Sequence, residues 1–272
     1  MLGAFSFFGA WFSEKLHMSI HVVIPARYGS SRFPGKPLAD IAGKPMILHV
    51  IDRANESGIA DVIVATDDQR IFDVVKAAGA SVVMTQADHE SGTDRLAEVA
   101  IHQNWADDDI VVNLQGDEPL IPPQVIRQLV NLLEDNPAGQ MATLMTPIHS
   151  VQDLLNPNIV KAVAGEQSQA LYFSRAPIPY PRDHFVKTQD SMPNGNYYRH
   201  LGMYAYRVSA LKAIPALPPT ELEQLEKLEQ LRPLANGIKI LLGIVDQAPG
   251  HGVDTPDDLI RVNDIFRNSI SQ

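Results

Sequence analysis

"IHVVIPARYGSSRFPGKPL", residues 20–38, holds the change of character that decides the fold. Its opening run is apolar and rich in valine and isoleucine, as in a strand buried on both faces. From Ala26 onward come two glycines, two prolines, two serines, two arginines and a lysine. That density of turn-formers continues neither a helix nor a central strand, so the chain leaves the sheet here as a long loop. The loop starts at the carboxyl end of its strand, where ligands of open α/β sheets bind. Its cations Arg27, Arg32 and Lys36 therefore need an anionic partner.

Outward from this stretch, strand-like and helix-like segments take turns. Short apolar runs recur at 61–66, 81–85, 109–114 and 140–148, and segments with helical spacing of apolar residues lie between them. The pattern predicts an α/β fold: a mostly parallel sheet with helices on both faces, joined by a smaller mixed α+β part. After Ile148 strand-like pieces dominate, with one acidic helix predicted over 218–232, a final helix from Thr255, and an exposed polar loop from Pro181 to Asn196. The reading is a single domain over 19–272, its nucleotide-binding half at 19–150 and a mixed part at 151–272 that closes over it. Residues 1–18, an aromatic-rich stretch too short to cross a bilayer and without a secretory pattern, read as an extension outside the fold.

The 272 residues include 22 Lys and Arg against 32 Asp and Glu, a net charge of −10 that repels nucleic acid. Any bound anion must be held by a local cluster. Two familiar phosphate loops do not fit: G-x-G-x-x-G is absent, and Gly29 and Gly35 have five residues between them where a P-loop has four. What fits is a loop whose backbone approaches a polyanion closely while arginines and a lysine neutralise it. Cysteine is absent, which excludes thiolate chemistry and accords with a reducing cytoplasm. The nine histidines show no metal-ligand spacing.

Two acidic elements accompany the loop. In "VVNLQGDEPLIPP" a strand ends, Gly116 turns the chain, and Asp117 and Glu118 follow at the same rim of the sheet. Carboxylates facing phosphates call for a hard cation, and magnesium is held in this way by one or two carboxylates plus substrate oxygens. The plainer alternative is that Asp117 caps the helix starting near Pro122. In "GHGVDTPDDL" Asp254 is either the cap of the final helix or a second metal ligand; both readings stay open from the residues alone. The run Asp107–Asp109 precedes its strand and so lies on the wrong edge of the sheet for a site; it reads as a solvated turn. Tyr172, Phe173, Tyr204 and Tyr206 alternate along strands as core residues do.

Seven segments, "IPARYGSSRFPGKPL", "HESGTDRLAE", "NLQGDEPLI", "LYFSRAPIP", "RHLGMYAYR", "LEKLEQLR" and "GVDTPDDL", occur in an order and spacing that resemble the 3-deoxy-manno-octulosonate cytidylyltransferase family, also called CMP-KDO synthetases. The likeness runs from about Ile20 to Phe266. It implies transfer of CMP from CTP to the anomeric hydroxyl of the acidic sugar KDO, with release of pyrophosphate, in a magnesium-dependent, cytoplasmic homodimer serving lipopolysaccharide synthesis. Carried over by position, Arg27, Arg32, Lys36 and Asp117 are the catalytic set. Ala26 and Ser91 join the three cations at the nucleotide, and Asp117 and Asp254 bind magnesium. Arg95, Gln115, Arg175, His200, Tyr204, Glu229 and Gln230 contact the sugar. Phe33 departs from a common leucine, and no residue stands out as general base. The competing readings are a cytidylyltransferase for 8-amino-KDO or sialic acid, and an idle nucleotide-binding regulator.

Overall fold

Valine and isoleucine on both faces make Ile20–Ala26 a strand that only a sheet interior can hold, and the computed structural model puts it there as β1, with Val22, Val23 and Ile24 inaccessible to solvent. The structure describes residues 18–29, 33–59, 61–89, 91–188, 190–246, 249–250 and 252–270. Residues 1–17 of the predicted extension and Arg32 lie outside that set.

The strands that follow are β2 (Asp40–Ile41), β3 (Lys44–Pro45), β4 (Asp61–Thr66), β5 (Ser81–Met84), β6 (Ile110–Asn113) and β7 (Met141–Pro147). Later come β8 (Lys161–Ala164), β9 (Ala170–Ser174), β10 (Tyr198–Arg207) and β11 (Ile240–Ile244). The helices are α1 (Met46–Glu56), α2 (Gln69–Ala77), α3 (Gly92–His102), α4 (Pro123–Glu134), α5 (Val151–Leu155) and α6 (Arg182–Phe185), then α7 (Val208–Ala213), α8 (Glu221–Glu226), α9 (Leu231–Ala235) and α10 (Pro256–Ile270).

The main sheet runs β11-β7-β10-β6-β1-β4-β5. β1 pairs in parallel with β4 and β6, β4 with β5, and β11 with β7, while β10 alone on this path runs antiparallel to its neighbours. The predicted α/β class with a mostly parallel sheet is observed. A strand from the chain's second half, β10, thus sits between two from the first, and carries β8 and β9 along as an antiparallel ribbon. Because β10 is reversed, Tyr204 faces Asn113, the last residue of β6, and the residues of β10 before it extend past the rim where β6 ends.

Helices cover both faces. On one, α1 and α4 present Ile47, Val50 and Ala54 and Val125, Leu129 and Leu133 to a core shared with β1 and β6. On the other, α3 and α7 supply Leu96, Val99 and Ala100 and Val208 and Leu211. Each such valine, leucine or isoleucine, fully buried, stabilises the fold by about 1.5–3 kcal/mol relative to exposure. Met18, counted with the extension in the sequence reading, packs against the first core and accepts a hydrogen bond at its sulfur from Arg207.

Three expectations change in detail. The acidic helix is two, α8 and α9, parted at Lys227, whose φ of 54° is left-handed. Arg175 takes the place of helical continuation there, donating to the Glu226 and Lys227 carbonyls that a continuing helix would have used. Glu223 then joins the two pieces through two hydrogen bonds from Arg232, at 2.8 and 2.6 Å. The polar loop 181–196 contains α6, because Phe185 is buried with Ile148, Val151, Leu154 and Tyr197 and pins the segment down. In the Asp107–Asp109 run, Asp109 is buried and accepts from the Ser19 and Ala106 amides, closing the turn.

Candidate active site

Two glycines let three chain segments meet at the sheet's rim. A Cβ on Gly116 would lie 2.9 Å from the Pro25 carbonyl, so only glycine lets the end of β6 close on the end of β1. A Cβ on Gly252 would lie 2.9 Å from the Asp117 carbonyl and 3.0 Å from the Glu118 carboxylate. That close approach is fixed by the Val253 amide, which donates to the Asp117 carbonyl at 2.8 Å. Asp117 and Asp254 are thereby brought together, and the first loop supplies what lies between them. The Lys36 ammonium donates to the Asp117 carboxylate at 2.5 Å, to the Asp254 carboxylate at 3.2 Å and to the Val253 carbonyl at 3.2 Å.

Neither aspartate serves as the helix cap that was its plainer alternative. α4 starts from Pro122 without a side-chain cap. At α10 the Thr255 hydroxyl accepts from the Asp258 amide and the Asp258 carboxylate from the Thr255 amide, a reciprocal cap that leaves the Asp254 carboxylate to Lys36. Burial opposes charge on Lys36, yet the two carboxylates prevail and hold its pKa above the ordinary lysine value. Glu118, beside them, is pushed up to about 8 by burial first and then by Asp117 and Asp254. Negative charge exceeds positive here, as in a place built for a cation. Among the described residues no group of three or more His, Cys, Asp or Glu is arranged to hold a metal alone. Two carboxylates with substrate phosphates complete a magnesium shell without a third.

Three clefts open around this node. The first, about 480 Å3, is lined by Ala26, Arg27, Lys36, Gln115, Asp117 and Asp254, with Tyr204 and Glu229 at its edge. Arg27 donates to the His89 carbonyl at 3.2 Å. The loop is closed by the Gly35 amide on the Tyr28 carbonyl, at 2.8 Å, and the Tyr28 ring lies under the Arg70 guanidinium, 3.3 Å from its centroid. The second cleft, about 280 Å3, is lined by Ser91, Thr93, Tyr204, Tyr206, Glu229 and Gln230. Ser91 caps α3 there, in a reciprocal pair with Asp94. Burial, reinforced by Asp94, raises the pKa of Glu229, and the amide nitrogen of Gln230 is buried without a partner among the described residues. The third cleft, about 540 Å3, runs from Gln115, Asp117 and Asp254 to Glu118, Arg199 and His200.

Eleven of the fourteen residues singled out from sequence, Arg32 lying outside the description, are therefore gathered at one rim. Arg95 and Arg175 are not. Arg95 is fully buried beneath α3, where its guanidinium binds Asp67 at 2.8 Å and the Thr85 hydroxyl, tying the ends of β4 and β5 to the helix. Arg175 donates to three backbone carbonyls, of Glu226 at 2.6 Å, Pro157 at 2.9 Å and Lys227 at 3.4 Å. The three carbonyls are met by three separate nitrogens of the planar guanidinium, a spread that a single ammonium does not reproduce, so Arg175→Lys is expected to lower stability by about 1–3 kcal/mol and to weaken both substrates alike. Thermal melts beside kinetics in each substrate check this; an intact melt with a defect confined to the sugar would return Arg175 to the cleft. Sequence reading missed Thr93, Arg199 and Tyr206, although all three stand inside quoted motifs.

His200 touches Thr143 through Nε2, at 3.0 Å, and packs edge-on against Phe173. Burial, with Arg199 adding to it, pushes its pKa down from 6.5 to about 3. A depressed histidine resists protonation in the folded state, so its contribution to stability is complete above the unfolded value and is lost as pH falls toward the folded one. Its edge remains partly open to solvent, so the expected loss is about 1–2 kcal/mol on acidification to about pH 4.5. Urea unfolding at both pH values measures it, and His200→Gln should flatten the dependence.

Comparison with known proteins gives the family. The family model described as "Cytidylyltransferase" matches residues 21–240, which places the chain among the nucleotidyltransferases. The 3-deoxy-manno-octulosonate cytidylyltransferase of Serratia proteamaculans is 53% identical over 250 residues, 92% of this chain and 100% of that protein. The protein of the same name from Cellvibrio japonicus is 56% identical over 248 residues, 90% of this chain and 97% of its own. This chain belongs to the 3-deoxy-manno-octulosonate cytidylyltransferase family. A solved CMP:2-keto-3-deoxy-manno-octonic acid synthetase complexed with CTP superposes with a TM-score of 0.84 at 48% identity, covering 92% of this chain and 99% of that one. A glucose-1-phosphate thymidylyltransferase from Bacillus anthracis, 18% identical with a TM-score of 0.59, shares the fold alone.

Proposed function

We propose that this chain transfers the cytidylyl group of CTP to the anomeric hydroxyl of KDO, forming CMP-KDO and pyrophosphate. The observation that carries the chemistry is the Lys36 ammonium bridging Asp117 and Asp254, which ties the phosphate loop to two carboxylates at the sheet's rim. The identity of the sugar is supported by relatives named for it that exceed half identity over nearly the whole chain.

The anomeric oxygen bonds to the α-phosphorus as the bond to the β-phosphate breaks, and the protein's contribution is orientation and charge neutralisation. Arg27, Arg32 and Lys36 are assigned to the triphosphate, and Ala26 and Ser91 to the nucleoside. Gln115, His200, Tyr204, Glu229 and Gln230 are assigned to the sugar. Asp117 and Asp254 would hold magnesium, which supplies further neutralisation of the phosphates when bound.

The family resemblance also supports a homodimer in the cytoplasm acting in lipopolysaccharide synthesis. Among the described residues no helix is long and apolar enough to cross a membrane.

Incubation with CTP, magnesium and a panel of KDO, 8-amino-KDO and sialic acid, read as pyrophosphate release, tests the assignment. Turnover highest with KDO is expected. Preference for another keto acid would move the substrate, and no release with any would remove the activity.

A further inference from the structure

The loop that joins β5 to α3 has little burial to hold it in place. Gln86, Ala87 and Asp88 are exposed and His89 is half-buried. Its order comes instead from one face of α3, where Asp94 and Glu98, a turn apart, each take polar groups of the incoming chain. Asp94 accepts from the Ser91 amide at 3.1 Å. Glu98 accepts from the Gln86 amide at 3.0 Å and from the His89 ring at Nε2. Burial opposes charge on Glu98, yet the bonds from His89 and the Gln86 amide prevail and hold its pKa below the ordinary glutamate value.

Glu98 and His89, 11% and 15% exposed, line none of the three clefts. Any part they play in the reaction is therefore indirect. The route is the backbone: the His89 carbonyl, beside the pinned ring, accepts from Arg27 Nη1 at 3.2 Å. A guanidinium carries five N–H donors in a rigid fork, so anchoring one aims the plane in which the others address an anion. Arg27 stands just past the end of β1, at the start of the loop of turn residues. A long side chain there has many rotamers to lose on meeting a ligand, and fixing it beforehand lowers that loss.

We infer that Glu98, acting through His89, is a positioning residue for the nucleotide: it sets the carbonyl that aims Arg27 at the triphosphate. This rests on the reading proposed above, in which Arg27 meets the phosphates. Glu98 and His89 touch no reacting group; they hold the carbonyl in place before CTP arrives.

The test is a binding cycle. CTP affinity is measured by calorimetry in the unsubstituted protein, His89→Ala, Arg27→Ala and the double variant, with Glu98→Ala and His89→Gln beside them. His89→Ala keeps the carbonyl and loses the ring that pins it, so Kd for CTP should rise about tenfold while KM for the sugar stays within about twofold. Glu98→Ala should match it. His89→Gln puts an amide nitrogen near the place of Nε2 and should restore most of the affinity. In the Arg27→Ala background, removing the ring should change Kd by less than about twofold, because the group it aims is gone. Thermal melts show that each variant is folded at the temperature of measurement. Full CTP affinity in His89→Ala overturns the inference alone. So does a loss that persists undiminished without Arg27, or an equal loss toward CTP and sugar that His89→Gln does not repair, since either marks a general structural role. If the unsubstituted protein binds no CTP, the proposed activity and this inference fall together. If it binds CTP and turns over no keto acid, the activity falls and the binding cycle still decides the inference.

Discussion

Asp117→Asn is expected to fold normally and to lose turnover by several orders of magnitude. The amide keeps the shape of the side chain and one oxygen for Lys36, whose ammonium also retains Asp254 and the Val253 carbonyl, so the packing around Gly252 is undisturbed. What disappears is a negative charge positioned to hold a cation against the phosphates, and losing such stabilisation in the transition state costs on the order of several kcal/mol. The substitution should depress kcat far more than it raises KM for CTP. Circular dichroism with steady-state kinetics at saturating magnesium decides the matter, and near-normal turnover would remove Asp117 from the site.

Lys36→Met should show two effects in opposite directions. Loss of the ammonium removes a triphosphate contact, for which a fall in kcat of about 10²–10³ is reasonable for one preorganised charge. It also leaves Asp117, Asp254 and buried Glu118 without the cation that now bridges the two aspartates, so the metal-free protein should melt at a lower temperature. Magnesium added to this variant meets no competing ammonium, and should raise its melting temperature more than it raises that of the parent. An equal magnesium response in the two proteins would mean that the aspartates are not the metal's ligands. Because methionine matches the lysine stem in length, the packing at Pro37 is kept, and a general loss of structure is not the expected outcome.

The architecture was legible in sequence wherever one element's own pattern was sufficient. Continuous apolar runs at 20–26, 61–66 and 110–113 can be buried on both faces only inside a parallel sheet, and the helices between them carry their stripes at helical spacing. The loop of 27–38 announced itself by turn residues at a strand's carboxyl end. Where the signal lay between segments it was weaker. The acidic stretch around Lys227 has helical periodicity throughout, and only the Arg175 guanidinium arriving from β9 stops it. Phe185 is a single apolar residue in a polar stretch, and its burial follows from a pocket made by α5 and Tyr197.

The same division runs through the site. Composition, strand ends and motif spacing determined which residue types gather at the rim, and by resemblance which family supplies their roles. Tertiary structure alone decided which of them remain available. Asp117 and Asp254 are 137 positions apart by their numbers, and nothing local distinguishes either from a helix cap. They become a pair because Gly252 can lie against the Asp117 backbone. Arg95, Arg175 and Arg199 are equivalent on paper, each a cation within a family motif. A guanidinium's role depends on what reaches it first, and the fold brings Asp67 to one and backbone carbonyls to another while leaving the third facing the cleft. Partners for a long side chain come from several elements at once, so they cannot be read along a single segment of chain.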